Sequence, residues 1–240
     1  MKKILLAFTV FITIASCKDD NSQANGNLHI TGNIKGLMQG KLYIKKVTDT
    51  ALVTLDSIII KGRSDFETHL TIDSPQMLYL ILDRGQTTSI DNSLPFFAEP
   101  GNMTIEAKNE EFFAKAKITG SENHKVYEEF LKIKRRFNNQ NLDLLEKNLE
   151  AERDNNTSQL DSLEQKAKQL LKRRYLYTTN FAVNNSKHEV APYLALFEIH
   201  DANIKYLDTI QKSMSPKVAE SYYGKLLSEY VAERKKLETE

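Results

Sequence analysis

The stretch at residues 115–126, KAKITGSENHKV, contains the change of sequence pattern that decides the fold. Before it, short segments rich in β-branched and aromatic residues are separated by glycines, which is typical of β-strands. After it, apolar residues recur every three or four positions, which is typical of amphipathic helices. Ser121 is suited to cap the first of these helices. The sequence therefore predicts an α+β fold, with an antiparallel β-sandwich or open barrel over residues 28–120 and a helical module over residues 121–240.

Eight short segments before this point are predicted as strands. Residues 66–72, FETHLTI, alternate between apolar and polar side chains, as expected for a half-buried strand. Pro100-Gly101 is a strong turn signal between two of the segments. The predicted strands are residues 28–34, 41–47, 52–60, 66–72, 77–82, 96–98, 102–107 and 115–119.

The helical module is predicted to begin with two long helices that form an antiparallel hairpin. Asp154-Asn155-Asn156 is the predicted turn between them. We expect the apolar stripes of the two helices to face each other. The predicted stripe of the first helix contains Val126, Phe130, Ile133, Phe137, Leu142, Leu145 and Leu149, and that of the second contains Leu160, Leu163, Ala167, Leu170, Arg174, Tyr177 and Phe181.

Three further helices are predicted after the hairpin. Residues 186–189, SKHE, have the form of a capping box and predict a helix that starts at Ser186. A fourth helix is predicted over residues 202–212. Ser215-Pro216 combines an N-cap with a proline at the first helical position and predicts the start of the last helix.

The first 16 residues have the features of a bacterial lipoprotein signal peptide. MKK is a short positive start, and residues 4–14 are apolar but too few to span a membrane, which takes about 20 residues. Residues 14–17, IASC, fit the cleavage site that precedes a lipidated cysteine. The alternative is an ordinary signal peptide with a chance cysteine. We expect lipidation at Cys17, a tether over residues 17–27, and anchoring to the outer membrane on its periplasmic face or at the cell surface.

Cys17 is the single cysteine, and this limits the chemistry of the chain. A disulfide within the chain is excluded, and acylation of Cys17 would also exclude thiol redox catalysis and cysteine metal ligands. The formal net charge of +1 provides no basic field for a nucleic-acid partner, so none is expected. We expect no cofactor.

Candidate catalytic and metal-binding residues are few. The histidines are His29, His69, His124, His188 and His200; no pair has the i, i+4 spacing of a helical metal site, so we interpret them as surface or strand-edge residues and expect no metal site. Asp56, Asp83 and Glu99 lie at predicted strand ends. They fit turn residues that accept backbone hydrogen bonds, or alternatively an acid/base pair of a hydrolase. The sequence contains no recognised catalytic motif, and we expect no catalytic residue and no enzymatic activity.

Short Asp-Ser/Thr-aliphatic patterns resemble the O-glycosylation acceptor of some gram-negative envelope proteins. They make Thr50, Ser57 and Thr209 candidate glycosylation sites, whereas Ser162 is predicted to lie within a helix. Chance occurrence is the alternative, because three-residue patterns are common.

Several motifs carry a resemblance to a known domain. The most specific is FFAEPGNMTI at residues 96–105, supported by GKLYI at residues 40–44 and ITGSEN at residues 118–123. Residues 28–130 resemble the uncharacterised β-rich domain that precedes thioredoxin-like domains in membrane-anchored thiol-disulfide oxidoreductases of gram-negative bacteria. A departure is GRSDF at residues 62–66, where that family usually has a tighter hairpin. The resemblance implies a fold and a location but no catalytic residue, because the Cys-x-x-Cys motif belongs to the thioredoxin-like part, which we interpret as lacking here.

Three hypotheses of function follow. The first is a non-enzymatic, membrane-anchored envelope lipoprotein that acts as a binding or scaffold module for an envelope protein, peptide or glycan. The second is an accessory protein for a separate thioredoxin-like oxidoreductase, which the resemblance implies. The third is a hydrolase that uses the carboxylates of Asp56, Asp83 and Glu99.

Overall fold

A computed structural model describes residues 26–48, 51–85 and 89–238. Within these ranges, eight strands precede six α-helices, with one turn of 3₁₀-helix at Ile90–Asn92. All eight predicted strands are present, with ends within three residues of the predicted ones, so the predicted fold class is confirmed. The strands are β1 Leu28–Lys35, β2 Gln39–Val47, β3 Leu52–Lys61, β4 Asp65–Leu70, β5 Gln76–Asp83, β6 Ser93–Ala98, β7 Gly101–Lys108 and β8 Lys117–Thr119. The helices are α1 Glu122–Arg153, α2 Thr157–Asn184, α3 Val190–Glu198, α4 Ile204–Ser213, α5 Pro216–Ala219 and α6 Tyr222–Leu237.

The strands form two four-stranded sheets. The first has the order β4-β1-β7-β8 and the second has the order β3-β2-β5-β6. The pairing of β1 with β7 is parallel, whereas the other strand pairs are antiparallel. The prediction of an antiparallel sandwich therefore missed one pairing. The chain passes through the second sheet between β1 and β7, and such a long connection allows two neighbouring strands to run in the same direction.

The two sheets pack face to face over one apolar core. The inward side chains alternate along each strand, such as Leu28 and Ile30 on β1 and Leu78 and Leu80 on β5. Gly32 lies on the same inward face of β1, and a Cβ atom at this position would lie 2.4 Å from the ring of Phe66. The alternation leaves the opposite face of the first sheet polar and open to solvent.

The helical hairpin forms as predicted, with its turn at residues 154–156. Asn155 has a positive φ of 53°, and the side chain of Asn156 accepts a hydrogen bond from the Gln159 amide at 3.1 Å. Asparagine tolerates both roles, since it adopts the left-handed conformation and caps helices well.

The predicted seam of the hairpin is wrong in its distal half. Leu142, Leu145 and Leu149 are 61%, 53% and 59% exposed instead of facing α2. Leu142 follows Phe137 by five positions, so its side chain points about 140° around the helix axis from that of Phe137. The positions that continue the stripe lie seven and fourteen residues after Phe137, at the half-buried Leu144 and the buried Ala151.

Two predictions about the later helices are also wrong. The third helix begins at Val190 rather than at Ser186, and residues 186–189 form turns instead of a capping box. The predicted last helix is two helices, because Ser221 caps α6 after the short α5 has ended; α5 does begin with the predicted Ser215 cap and Pro216. Gly224 allows this second start, since a Cβ atom there would lie 2.0 Å from the carbonyl oxygen of Val218.

Aromatic side chains join the sandwich to the helices. Phe97 of β6 meets the rings of Tyr127, Tyr193 and Tyr223 with centroid distances of 6.5, 5.6 and 5.9 Å. The Tyr223 hydroxyl accepts the backbone N–H of Met77 at 3.1 Å. Burial raises the pKa of Tyr127 to about 12 and also raises the pKa values of Tyr193 and Tyr223. The three hydroxyls therefore stay neutral in this buried cluster.

None of the helices in the described ranges is both long enough and apolar enough to cross a membrane.

Candidate functional site

Two of the four predicted modification sites, Ser57 and Thr209, lie within the described residues. Cys17 and Thr50 lie outside the described residues, together with the predicted signal peptide and most of the predicted tether. Ser57 is exposed on β3, and Thr209 is exposed on α4, where its hydroxyl donates to the Lys205 carbonyl at 2.7 Å. Glycosylation at the three acceptor positions stays a prediction.

The three acidic residues accept hydrogen bonds from nearby backbone, but only Asp83 and Glu99 lie at strand ends; Asp56 lies within β3, so its predicted strand-end position is wrong. The carboxylate of Asp56 accepts the amide of Ser57 at 2.7 Å, and that of Asp83 accepts the amide of Gly85 at 2.8 Å. Glu99 accepts both the Asn123 amide at 3.1 Å and the Ser121 hydroxyl at 3.0 Å. The interpretation as turn residues therefore fits Asp83 and Glu99 but is wrong for Asp56.

Asp56 and Asp83 do not form an acid/base pair. Asp56 lies opposite Ile44 of β2, and Asp83 lies opposite Lys41 of the same strand. Successive side chains of a strand point to opposite faces, so positions three residues apart lie on different sides of the sheet. The hypothesis of a carboxylate pair is wrong for these two residues.

His124 is buried, so its interpretation as a surface residue is wrong. Its Nδ1 atom accepts the backbone N–H of Phe97 at 3.2 Å, and its Nε2 atom lies 3.6 Å from Glu128. Burial lowers the pKa of His124, and the nearby Glu128 carboxylate raises it by a smaller amount. His124 therefore links α1 to β6 as a neutral ring.

A buried polar pair next to His124 was not predicted from the sequence. Asn123 donates to the Glu189 carboxylate at 2.8 Å and accepts the amide of Val190 at 3.0 Å. The ammonium group of Lys217 lies 4.0 Å from the Glu189 carboxylate. The capping-box pattern drew attention to Glu189, but it could not show that the carboxylate faces another helix.

Two histidines and a glutamate meet on the polar face of the first sheet. His29 of β1 lies directly opposite His69 of β4, and Glu67 precedes His69 by two residues, which places all three side chains on the same face. The imidazole rings of His29 and His69 are stacked with centroids 4.3 Å apart and planes 6° apart. These three side chains form the His/Glu cluster.

The contacts of His29 orient its ring toward Glu67. Its Nε2 atom lies 2.7 Å from Glu67 Oε1, and its Nδ1 atom lies 3.2 Å from the Asn102 side-chain oxygen on β7. Asn102 lies opposite His29 in the parallel β1–β7 pairing. One ligand atom from each member of the His/Glu cluster lies within 4.8 Å of the others. These residues come together through the pairing of β1 with β4, which the i, i+4 spacing of a helical metal site does not detect.

A shallow cavity of about 610 Å³ adjoins the His/Glu cluster on the same face. Its polar lining includes Thr31, Asn33, Glu67, Thr104 and Glu106. A ligand bound at the cluster would therefore border an open polar surface.

The exposed leucines of α1 form a second candidate surface. Leu142, Leu145 and Leu149, which we term the leucine stripe, follow each other at spacings of three and four residues and so share one helix face. A shallow groove of about 450 Å³ runs along them, and Glu146, Glu150 and Arg153 also line it.

Comparison with known proteins found one family. Residues 28–127 match the model described as "Domain of unknown function (DUF4369)", from the first residue of β1 into the second turn of α1. A search of the curated proteins found no match. The predicted resemblance to an uncharacterised β-rich domain is confirmed over residues 28–127, which include the β-sandwich and the start of α1.

Proposed function

We propose that the chain is a non-enzymatic envelope lipoprotein, anchored to the outer membrane through Cys17, whose folded part serves as a binding module for a partner protein. The leucine stripe is the observation that carries this proposal. The lipid anchor would hold the sandwich near the membrane, and the hairpin would present the stripe to the partner.

The hairpin has the dimensions of a docking arm. With 32 residues, α1 is about 48 Å long. In its distal half, residues 138–153, Ala151 is buried and Leu144 and Asn148 are half-buried, whereas the other side chains are exposed. The leucine stripe therefore faces solvent on an extended element.

Because the leucine stripe is exposed to solvent, its burial against a partner would be energetically favourable. Full burial of a leucine side chain contributes about 1.5–3 kcal/mol. Three leucines at spacings of three and four residues match the seam by which one helix docks against another. We therefore identify the occupant as an amphipathic helix of the partner.

Charges beside the stripe indicate the flanks of that helix. Glu146 and Glu150 lie along the groove, and Arg153 stands at its end. A partner helix with Lys or Arg beside its apolar stripe would complement the two carboxylates.

Site-specific cross-linking in cells tests the docking surface. A photo-crosslinking amino acid at position 146 should capture a protein whose cross-linked peptide is a basic amphipathic helix. Joint substitution Leu142→Gln and Leu149→Gln should abolish this product. The matched control is Val53→Ser, which removes another exposed apolar side chain, on β3, and should leave the product unchanged.

Two results would contradict the docking proposal. One is a product that persists in the Leu142→Gln, Leu149→Gln variant, and the other is a product that contains only a second copy of this chain. A captured thioredoxin-like protein would favour the narrower role of accessory to a separate thiol-disulfide oxidoreductase.

The anchor is tested separately with palmitate labelling. The full chain should incorporate the label and fractionate with the outer membrane, and Cys17→Ser should do neither. An unlabelled chain with a free thiol at position 17 would contradict the anchor but not the docking surface.

A further inference from the structure

We infer that His29, Glu67 and His69 bind a divalent transition-metal ion, with Zn²⁺ as a suitable probe. This site lies on the face of the first sheet and does not depend on the leucine stripe. The donor set is two imidazoles and one carboxylate, which zinc accepts while it keeps a further position open.

Strand pairing builds the site without any loop. The cross-strand pair His29–His69 supplies two rings, and Glu67 supplies a carboxylate two residues before His69. Directly opposite side chains have Cβ atoms about 5 Å apart, which lets both rings reach one ion. The backbone of two paired strands therefore fixes the positions of all three ligands.

The distances are close to those of a bound ion. Zinc holds nitrogen and oxygen ligands at about 2.0–2.2 Å, so tetrahedral ligand atoms lie about 3.3 Å apart. His29 Nε2 and Glu67 Oε1 are 2.7 Å apart, and each of the three ligand atoms lies within 4.8 Å of the others. Small rotations of exposed Glu67 and half-buried His69 would complete the geometry.

Asn102 has the position of an outer-sphere residue. Its side-chain oxygen accepts from Nδ1 of His29 at 3.2 Å, which leaves Nε2 as the ligand nitrogen. A hydrogen bond to the non-ligating nitrogen commonly orients metal-binding histidines. Asn102 thus supports the orientation that the site requires.

Zn²⁺ binds imidazole nitrogen and carboxylate oxygen only in their unprotonated forms, so protons compete with the ion for these ligands. Binding should therefore weaken as the pH falls from about 7.5 to about 5.5.

Isothermal titration calorimetry with ZnCl₂ tests the site on the full chain in detergent. The chain carries Cys17→Ser, so that no thiol contributes, and no histidine tag. We expect one Zn²⁺ per chain and release of protons. Glu67→Gln and His69→Gln should each weaken binding by at least about tenfold, and Asn102→Ala by about tenfold.

His200→Gln is the matched control, because His200 is exposed and lies in the connection between α3 and α4, outside the β-sandwich. It should bind Zn²⁺ as the parent does. Absorption spectra with Co²⁺ in place of Zn²⁺ report nitrogen and oxygen ligation independently, and circular dichroism verifies that each variant is folded. Absence of saturable binding, or equal binding by the parent and Glu67→Gln, would overturn the inference.

Discussion

The side-chain amide of Asn123 donates to the buried carboxylate of Glu189 at 2.8 Å, which ties the first turn of α1 to the residue before α3. Both side chains are almost fully buried. Asn123 also accepts the amide of Val190 at 3.0 Å, so one side chain satisfies an anion and a helix N-terminus. This pair holds the N-terminus of α3 against the first turn of α1.

Asn123→Ala should therefore lower the free energy of unfolding by about 3 kcal/mol, because it leaves a buried carboxylate and a buried amide without a partner. Urea denaturation of the variant and its parent gives the value. Asn138→Ala, at an exposed position of the same helix, is the control and should change stability by less than about 0.5 kcal/mol. Equal effects of the two substitutions would contradict the role of the pair.

His124 should make the protein less stable in weak acid. Burial lowers the pKa of His124 in the folded chain below the ordinary value of 6.5. Below about pH 6.5 the unfolded chain binds a proton at this position and the folded chain does not. The free energy of unfolding therefore decreases as the pH is lowered from about 6.5 to the pKa of His124 in the folded chain. Above that range the contribution is fully present.

The measurement is urea denaturation of the parent and of His124→Asn between about pH 7.5 and 5. Asparagine keeps an acceptor for the Phe97 amide but does not titrate. The parent should lose more stability than His124→Asn over this range. Parallel pH profiles would show that the ring is not held neutral.

The corrected hairpin seam predicts opposite results for two leucines. Leu163→Ala should cost about 2–5 kcal/mol, since Leu163 is buried and its truncation leaves a cavity. Leu149→Ala should change stability by less than about 0.5 kcal/mol, since Leu149 is exposed. A large loss in Leu149→Ala would restore the seam that the sequence pattern suggested.

Gly120 is required at the junction of β8 and α1. Its φ is +94°, and a Cβ atom there would lie 2.1 Å from the carbonyl oxygen of Asn102. Gly120→Ala should therefore destabilise the chain by about 3 kcal/mol or more, from backbone strain and displacement of β7. Gly62→Ala shares a positive φ but meets no atom within 4 Å, so it should cost only about 1 kcal/mol. Thermal unfolding compares the two, and similar losses would refute the close contact.

Local patterns were sufficient to predict the secondary structure because they depend on neighbouring residues. Alternation and glycine spacing predicted the eight strands, and the asparagine-rich turn predicted the hairpin. The parallel pairing of β1 with β7 was missed, since pairing of strands far apart in the chain leaves no mark on the period of either strand.

The helix pattern was least reliable where its phase shifted. Leu142, Leu145 and Leu149 continue an apolar spacing, yet the five-residue step from Phe137 turns them away from α2. The burial of His124 and Glu189 was not predicted, because a polar side chain whose hydrogen bonds are satisfied by specific partners leaves no periodic pattern in the sequence.

The sequence by itself determined the order of the strands, the start of the helical module, the hairpin turn and the inventory of reactive groups, since each depends on residue type and short-range spacing. Only the tertiary structure decided which of those groups meet. His29 and His69 are 40 positions apart and become neighbours through the register of β1 and β4, which is set by burial of the apolar face of both strands. Long-range register thus created the His/Glu cluster, and the phase of α1 on α2 created the leucine stripe.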